Sequence, residues 1–311
     1  MEAPENLANE RERLLVVSGP FSLPLMLASV LRRASDAVDR VVGDEYRRLL
    51  VHEGRPFLLR VTPDDTPDRI RLILRGVDEP PDEGALDLAE QSARRLFCLD
   101  HSPALFYDHV REEPVLNALA ARLPGMRPLG SPNIFEMLVI AILGQQISMI
   151  AAGAIKARMV GALGVAAQFD NRLYRAFPTP DTLAGAGSDQ YQAMAFSRRK
   201  AEYVRDLAVQ VASGNLDLET LRGRPHLEIL DRLVVIRGIG RWTAEYVLLR
   251  GYAYPDALPA GDAGLRRQIA RYYHLESAPT EAEITARAEP WAPYRSWATL
   301  YLWNADLVSL E

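Results

Sequence analysis

One carboxylate and one pair of glycines are placed to do chemistry together. The chain reads Ile236-Arg237-Gly238-Ile239-Gly240-Arg241-Trp242-Thr243-Ala244-Glu245-Tyr246 and then, after a spacer, Ala260-Gly261-Asp262-Ala263-Gly264-Leu265. Leu230, Leu233 and Val234 recur at helical spacing before Gly238, and Thr243, Tyr246, Val247 and Arg250 resume it after Gly240, so the first string reads helix, tight turn, helix. Glycines on both sides of one apolar residue permit positive φ and close approach to a ligand, with Ile239 as the plug between the helices. The main-chain N–H groups of Gly238, Gly240 and Trp242 then face outward at a helix start, where unpaired donors and the dipole favour an anion such as a phosphate. A bare Gly-x-Gly between helices is also simply a turn. Arg237 and Arg241 beside the glycines, Thr243 as a residue able to cap the second helix, and Trp242 just inside it exceed what a turn needs.

Leu265, Ile269 and Tyr272 share one helical face, which puts Asp262 at the start of that helix. It reads as an N-cap, and the cap is compatible with a second role. A carboxylate among N-terminal amides is held ionised, so it suits facing a developing positive charge and does not suit donating a proton. Trp242, Tyr246, Tyr273, Trp297 and Trp303 are the aromatics available to line a cleft near it. An aromatic stripe is as readily core, and for Trp297 and Tyr273 the core reading is preferred.

The elements that must position these groups separate by pattern. Strand candidates run over 14–18, 46–52, 57–62 and 70–75, the last alternating Ile70, Leu72 and Leu74 with Arg69, Arg71 and Arg75. Glu53-Gly54-Arg55-Pro56 reads as a hairpin turn and Leu23 to Arg33 as a helix, giving an antiparallel sheet with a helix on it. Beyond Pro80-Pro81 the pattern is almost wholly helical, broken at Pro124, Pro128, Pro132, Pro178-Thr179-Pro180, Gly214 and Pro225. The expected class is α+β, mostly α.

A chain of 311 residues allows two or three domains, and an apolar fraction of 48% supports real cores. No segment is long and apolar enough to span a membrane, and Arg11-Glu12-Arg13 precede only Leu14 to Val17, so no signal peptide is evident and a cytoplasmic protein is expected. The single cysteine, Cys98, excludes an internal disulfide and a four-cysteine iron–sulfur cluster. His52, His101, His109, His226 and His274 lack paired ligand spacing, which argues against catalytic zinc. A net charge of −5 makes whole-molecule attraction to phosphate weak, so any such binding must be local. Asp64, Asp65, Asp68, Asp78, Glu79, Asp82 and Glu83 crowd the N-terminal part, whereas Arg198, Arg199, Lys200, Arg237, Arg241, Arg250, Arg266, Arg267 and Arg271 surround the glycine pair. Charge runs are usually solvated faces; here the basic set is expected to form one side of the molecule.

The hairpin followed by Gly261-Asp262 resembles the helix-hairpin-helix glycosylase superfamily of base-excision repair, and within it the DNA-3-methyladenine glycosylase II branch. Phe135-Glu136 with Ile142-Leu143-Gly144-Gln145-Gln146-Ile147-Ser148 resembles the family's early helix and wedge loop. Phe177-Pro178-Thr179-Pro180 resembles its interhelix loop, and Trp291 to Trp303 its C-terminal helix. The resemblance covers nearly the whole chain and is strongest from about Phe135. It implies an N-terminal sheet-and-helix domain over 1–86, a helical lobe from 87–130 with 255–311 carrying the catalytic acid, a second helical lobe over 131–254 carrying wedge loop and hairpin, and an active site in the cleft between.

It also implies roles. Asp262 is the catalytic residue; Trp242, Tyr246 and Trp303 receive a flipped base; Gln146 fills the hole left in the stack, where that branch usually shows an apolar residue. Gln145-Gln146 equally reads as a helix end. Gly238, Gly240, Arg241, Trp242 and Thr243 contact DNA, and main-chain carbonyls of Val234, Ile236 and Ile239 hold a structural Na+ or K+, with no cofactor needed for the chemistry. An alkylated base bearing positive charge is drawn to aromatic faces by roughly 0.5–2 kcal/mol. It also leaves without protonation, so Asp262 need only stabilise an oxocarbenium-like sugar and orient water. Bifunctional relatives place a lysine nucleophile where this chain has Trp242, so no Schiff base and no strand cleavage are expected. Lys200 reads as a solvated phosphate contact, and Lys156 and the N-terminal amine as the other amines to consider. The expected partner is double-stranded DNA containing alkylated bases, bound by a monomer. A glycosylase for deaminated, etheno or oxidised purines and a non-catalytic helix-hairpin-helix DNA-binding protein stay open as alternatives.

Overall fold

A computed structural model describes residues 9–32, 37–66 and 68–307. Its first part comprises β1 (Glu10–Val16), α1 (Leu23–Leu31), β2 (Arg40–Val42), β3 (Glu45–His52), β4 (Arg55–Pro63) and β5 (Arg69–Gly76). The strands form one antiparallel sheet in the order β1-β5-β4-β3-β2. Period-two alternation sets its faces: Tyr46, Leu50, Phe57, Leu59, Val61, Leu72 and Leu74 join α1 in one core, and Leu49 and Leu58 point the other way. The β3–β4 turn is Glu53-Gly54, both in the left-handed region (φ 48° and 76°), as a two-residue hairpin turn requires.

β1 begins at Glu10 rather than Leu14. Its charged start is paired across space, with Arg13 between Glu83, Asp87 and Glu90 at 2.9, 2.7 and 2.9 Å, so the segment is stable as a strand without apolar alternation. Arg33, the expected last residue of the first helix, lies outside the described residues.

The helical part continues with α2 (Glu83–Leu96), α3 (Ala104–His109), α4 (Pro114–Arg122), α5 (Ile134–Gly144) and α6 (Met149–Leu163). A second hairpin follows, β6 (Ala166–Phe169) and β7 (Arg172–Arg175), then α7 (Pro180–Gly185), α8 (Ser188–Ala193), α9 (Arg198–Ala212), α10 (His226–Val234) and α11 (Arg241–Arg250). The last helices are α12 (Ala263–Tyr272), α13 (Glu281–Arg287) and α14 (Arg295–Asn304). α2 departs from the expected division at residue 87: Ala85, Leu86, Ala89, Ala93 and Leu96 bury on the sheet, so this helix belongs to the sheet's own core. Phe106 to Met126 share a core with α12, α13 and α14, and residues from Ile134 to Ala257 build another.

The β6–β7 hairpin is a departure from the almost wholly helical pattern expected beyond Pro81. Its turn is Asp170-Asn171, both at positive φ (49° and 56°), and its Ala167, Phe169 and Tyr174 cover Leu49 and Leu58 on the outer face of the sheet. A buried charge network ties the same sheet to the helical part. Arg48, 2% exposed, donates to Asp39 (2.6 Å) and to Glu136 of α5 (2.5 Å), and Lys156 of α6 lies 3.9 Å from Asp39. Buried charges persist when paired in this way. Lys156 is thereby removed as a free amine, and the N-terminal amine lies outside the described residues.

Candidate active site

The hairpin joins α10 to α11 through Val235 to Gly240. Gly238 carries the positive φ (88°), and a Cβ there would sit 2.4 Å from the Tyr203 ring of α9. Gly240 does not share that conformation: at φ −90° and ψ 175° it is the N-cap of α11, and a Cβ on it would meet nothing within 4 Å. Ile239, 4% exposed, packs with Ile236 in the core beneath. Among the described residues, the main-chain N–H groups of Gly238, Gly240, Arg241, Trp242 and Thr243 donate to no main-chain carbonyl, and no side chain caps this helix. The result is a cluster of free donors at the positive end of a dipole.

Thr243 is not the cap. It sits at the third helical position, 2% exposed, and its hydroxyl accepts from Gln145 Nε2 at 3.1 Å. The same Nε2 donates to Gly238 O at 2.8 Å, so the loop between α5 and α6 is fastened to the hairpin. Lys200 of α9 donates to Leu143 O (2.7 Å) and Gln145 O (2.8 Å), closing the C-terminus of α5; desolvation by burial lowers its pKa. This corrects its reading as a solvated phosphate contact. Next in the loop, Gln146 is exposed in the left-handed region (φ 57°), and Ser148 caps α6 through Ala151 N at 3.2 Å.

Asp262 caps α12, its Oδ1 accepting from Leu265 N at 2.7 Å. The same oxygen accepts from the Trp303 indole Nε1 of α14 at 2.9 Å. Trp303 lies 5.9 Å from Tyr246 between ring centroids, and Tyr246 stacks on Trp242 at 5.7 Å and 29°. An aromatic row thus runs from the hairpin to the acid, with all three rings partly exposed. Arg250 lies 5.4 Å from the Tyr246 ring, donates to its hydroxyl (2.7 Å) and anchors on Leu129 O (2.8 Å), which fixes the middle ring. Trp242 Nε1 is buried without a hydrogen-bond partner among the described residues, a donor left for an incoming group. Trp297 is core, stacked on Phe106, and Tyr273 packs against Trp291 and donates to Glu113.

The segment leading to Asp262 is pinned by α11 and by α14. Glu245 of α11, 3% exposed, accepts from Leu258 N at 3.2 Å and lies 3.1 Å from His226 Nε2. From α14, Ser296 donates to Ala257 O and Arg295 forms a bidentate pair with Asp256 at 2.7 and 2.6 Å. Sequence reasoning missed Gln145, Lys200, Arg250 and Glu245 as positioning residues, because each acts on a group far away in the chain.

The basic set is less available than its sequence suggests. Arg237 pairs with Asp206 and Glu202, Arg271 with Asp306, and Arg250 is committed internally. Arg241 is 78% exposed and 3.6 Å from Glu245, while Arg199 and Arg267 are exposed and make no ion pair among the described residues. Cys98 is buried and its thiol pushed up to about 12, mainly by desolvation. No helix among the described residues is long and apolar enough to cross a membrane.

Comparison with known proteins shows the family. The chain is 31% identical over 287 residues to DNA-3-methyladenine glycosylase 2 of Escherichia coli (strain K12), covering 92% of this chain and 95% of that one. It is 34% identical over 208 residues to the DNA-3-methyladenine glycosylase of Bacillus subtilis (strain 168), covering 67% and 69%. The solved 3-methyladenine DNA-glycosylase from Archaeoglobus fulgidus superposes with a TM-score of 0.82 at 25% identity, covering 96% of this chain and all of that one. Residues 13–132 match the AlkA N-terminal domain, and residues 139–293 match the HhH-GPD superfamily base excision DNA repair proteins. This chain, with its hairpin and its capped acid, belongs to the HhH-GPD superfamily of base-excision DNA repair proteins.

Proposed function

We infer that this protein is a monofunctional DNA glycosylase that flips alkylated bases out of duplex DNA and hydrolyses the N-glycosidic bond, leaving an abasic site. The observation that carries this reading is the aromatic row Trp242–Tyr246–Trp303 ending on the Asp262 carboxylate. A base made cationic by alkylation gains from those π faces what a neutral base does not, and it leaves without a general acid. As the bond breaks, positive charge grows on the sugar, and Asp262 is the carboxylate held to face it. Both its hydrogen bonds enter Oδ1, so Oδ2 takes neither and is the oxygen assigned to the sugar or the incoming water. The free amides of Gly238 and of Gly240 to Thr243 receive one phosphate of the lesion strand, with Arg241 beside them, and Gln146 occupies the vacated place in the stack.

The carbonyls assigned to a monovalent cation fit that role in part. Among the described residues Val234 O and Ile239 O accept no main-chain hydrogen bond, while Ile236 O accepts from Ile239 N at 3.0 Å and keeps one lone pair. A Na+ or K+ there would add positive charge beneath the phosphate. The protein acts as a monomer on double-stranded DNA in this reading.

The deciding experiment incubates the enzyme with duplexes carrying 7-methylguanine, 3-methyladenine, hypoxanthine, ethenoadenine or an oxidised purine. Free base and strand breaks are measured in one tube with and without borohydride. Release of the methylated bases, no trapped adduct and nicks only after alkali are expected. Preferential release of another lesion would move the substrate class, and base release with a trapped adduct would end the monofunctional reading. No release from any duplex would leave a DNA-binding protein without chemistry.

A further inference from the structure

The three most exposed large apolar side chains among the described residues are Ile150 at 81%, Met149 at 79% and Val235 at 79%. All three lie close in sequence to the Gln145–Gly238 hydrogen bond that joins the α5–α6 loop to the hairpin. This is not loose chain. Ser148 caps α6 so that Met149 and Ile150 are its first two residues, Lys200 closes α5 just before them, and Ile147 adds a further 38% exposed side chain. Bare apolar side chains therefore follow Gln146 directly, in a segment whose loop Gln145 fastens to the hairpin. Large apolar side chains exposed together in one capped segment, rather than scattered singly, mark an interaction site.

We propose that Met149 and Ile150 form a second, apolar wedge that enters the minor groove beside Gln146 and presses on the base step next to the extruded nucleotide. The occupant is duplex DNA, because Met and Ile are among the side chains that unstack base steps from the minor groove, and because Gln145 fastens the segment's loop to the hairpin. The proposal rests on the glycosylase reading for its setting and is tested by binding rather than by excision. Gln146 then fills the hole, while the apolar pair holds the duplex open.

The test is the double variant Met149→Ser/Ile150→Ser, which keeps the helix start intact because serine is tolerated there. Affinity is read by fluorescence anisotropy for a duplex with a tetrahydrofuran abasic analogue, for the same strand alone, and across a salt series. The expected result is roughly tenfold weaker duplex binding, unchanged single-strand binding and an unchanged salt slope, since an apolar insertion releases no counterions. The control Leu31→Ser/Leu105→Ser, on exposed apolar residues elsewhere, should bind like the parent. Duplex affinity within about twofold of the parent, an equal loss on single strand, or a slope that falls with affinity overturns the proposal. So does a parent that self-associates through this face, seen as a concentration-dependent mass lost in the variant. Failure of the parent to release any base, with the duplex effect intact, would sink the glycosylase reading alone.

Discussion

Replacing Asp262 in two ways separates its charge from its structural duty. Asp262→Asn keeps an oxygen that can accept from Leu265 N and Trp303 Nε1, now at 2.7 and 2.9 Å, so the cap and the aromatic row should persist. What disappears is the negative charge facing the sugar. Removal of one preorganised electrostatic group costs about 10²–10³ in rate, or roughly 2.7–4 kcal/mol of transition-state stabilisation. Asp262→Ala loses the same charge and also the cap, about 1 kcal/mol, and leaves the Trp303 indole without an acceptor. Its melting temperature should therefore fall by about 2–4 °C, while that of Asp262→Asn stays within about 1 °C of the parent. The assay is single-turnover release of 7-methylguanine from a duplex with enzyme in excess, alongside thermal melts and affinity for an abasic duplex. Both variants should excise about a hundredfold or more slowly, with Asp262→Asn retaining stability and affinity. Near-native excision by Asp262→Asn would refute the electrostatic role. A loss matched by its loss of binding would refute it as well.

The hairpin glycines should fail differently: Gly240→Val, facing open space, should weaken binding to every abasic duplex with only the small cost of a poorer cap, whereas Gly238→Ala should lower the melting temperature because its Cβ meets the Tyr203 ring at a positive φ. Lys200→Met should cost about 1.5–3 kcal/mol of stability through its two carbonyl bonds while leaving the salt slope of DNA binding unchanged; a slope reduced by about one would restore the phosphate contact. Burial opposes ionisation of Glu45 and Glu90, yet Arg60 with Arg47, and Arg94 with Arg13, hold both carboxyls below the ordinary 4.5. Because the folded values lie below the unfolded ones, their stabilisation is complete above the unfolded value and is lost as pH falls through the folded value. Melting temperature should be flat above about pH 5.5 and fall below about pH 4.5, and Glu45→Gln should flatten that acid limb.

What was legible in the sequence was whatever depends on local pattern. Alternation placed β3 to β5 within a residue or two, and the glycine pair located the hairpin. Capping preference placed Asp262 at the start of α12. What was not legible depends on partners distant in the chain. Thr243 looks like a cap by type, yet Gln145 takes its hydroxyl and Gly240 takes the cap position. Lys200 looks solvated inside Arg198-Arg199-Lys200, yet it alone of the three turns inward to close α5. Arg237 looks free beside the glycines, yet α9 supplies two acids for it. The β6–β7 hairpin is the exception: Asp170-Asn171 between short alternating runs was a usable local signal.

The positioning residues share one design. Glu245 ties the hairpin helix to Leu258, Trp303 ties the C-terminal helix to Asp262, and Gln145 ties the wedge loop to Gly238, each through a single polar side chain spanning elements from different parts of the chain. The acid, the aromatic row and the phosphate donors are therefore held in one register before any ligand arrives. Misplacement by about 1 Å can cost on the order of a hundredfold in rate, so this register matters as much as the acid itself. Arg250 and Lys200 are spent on internal contacts and Arg237 and Arg271 on surface ion pairs, while Arg199, Arg241 and Arg267 stay exposed, so the proposed recognition combines these few charges with backbone amides and aromatic faces. On the proposed reading such a site needs a duplex already distorted or easily opened at the lesion, and the exposed Gln146, Met149 and Ile150 are the side chains proposed to make that opening.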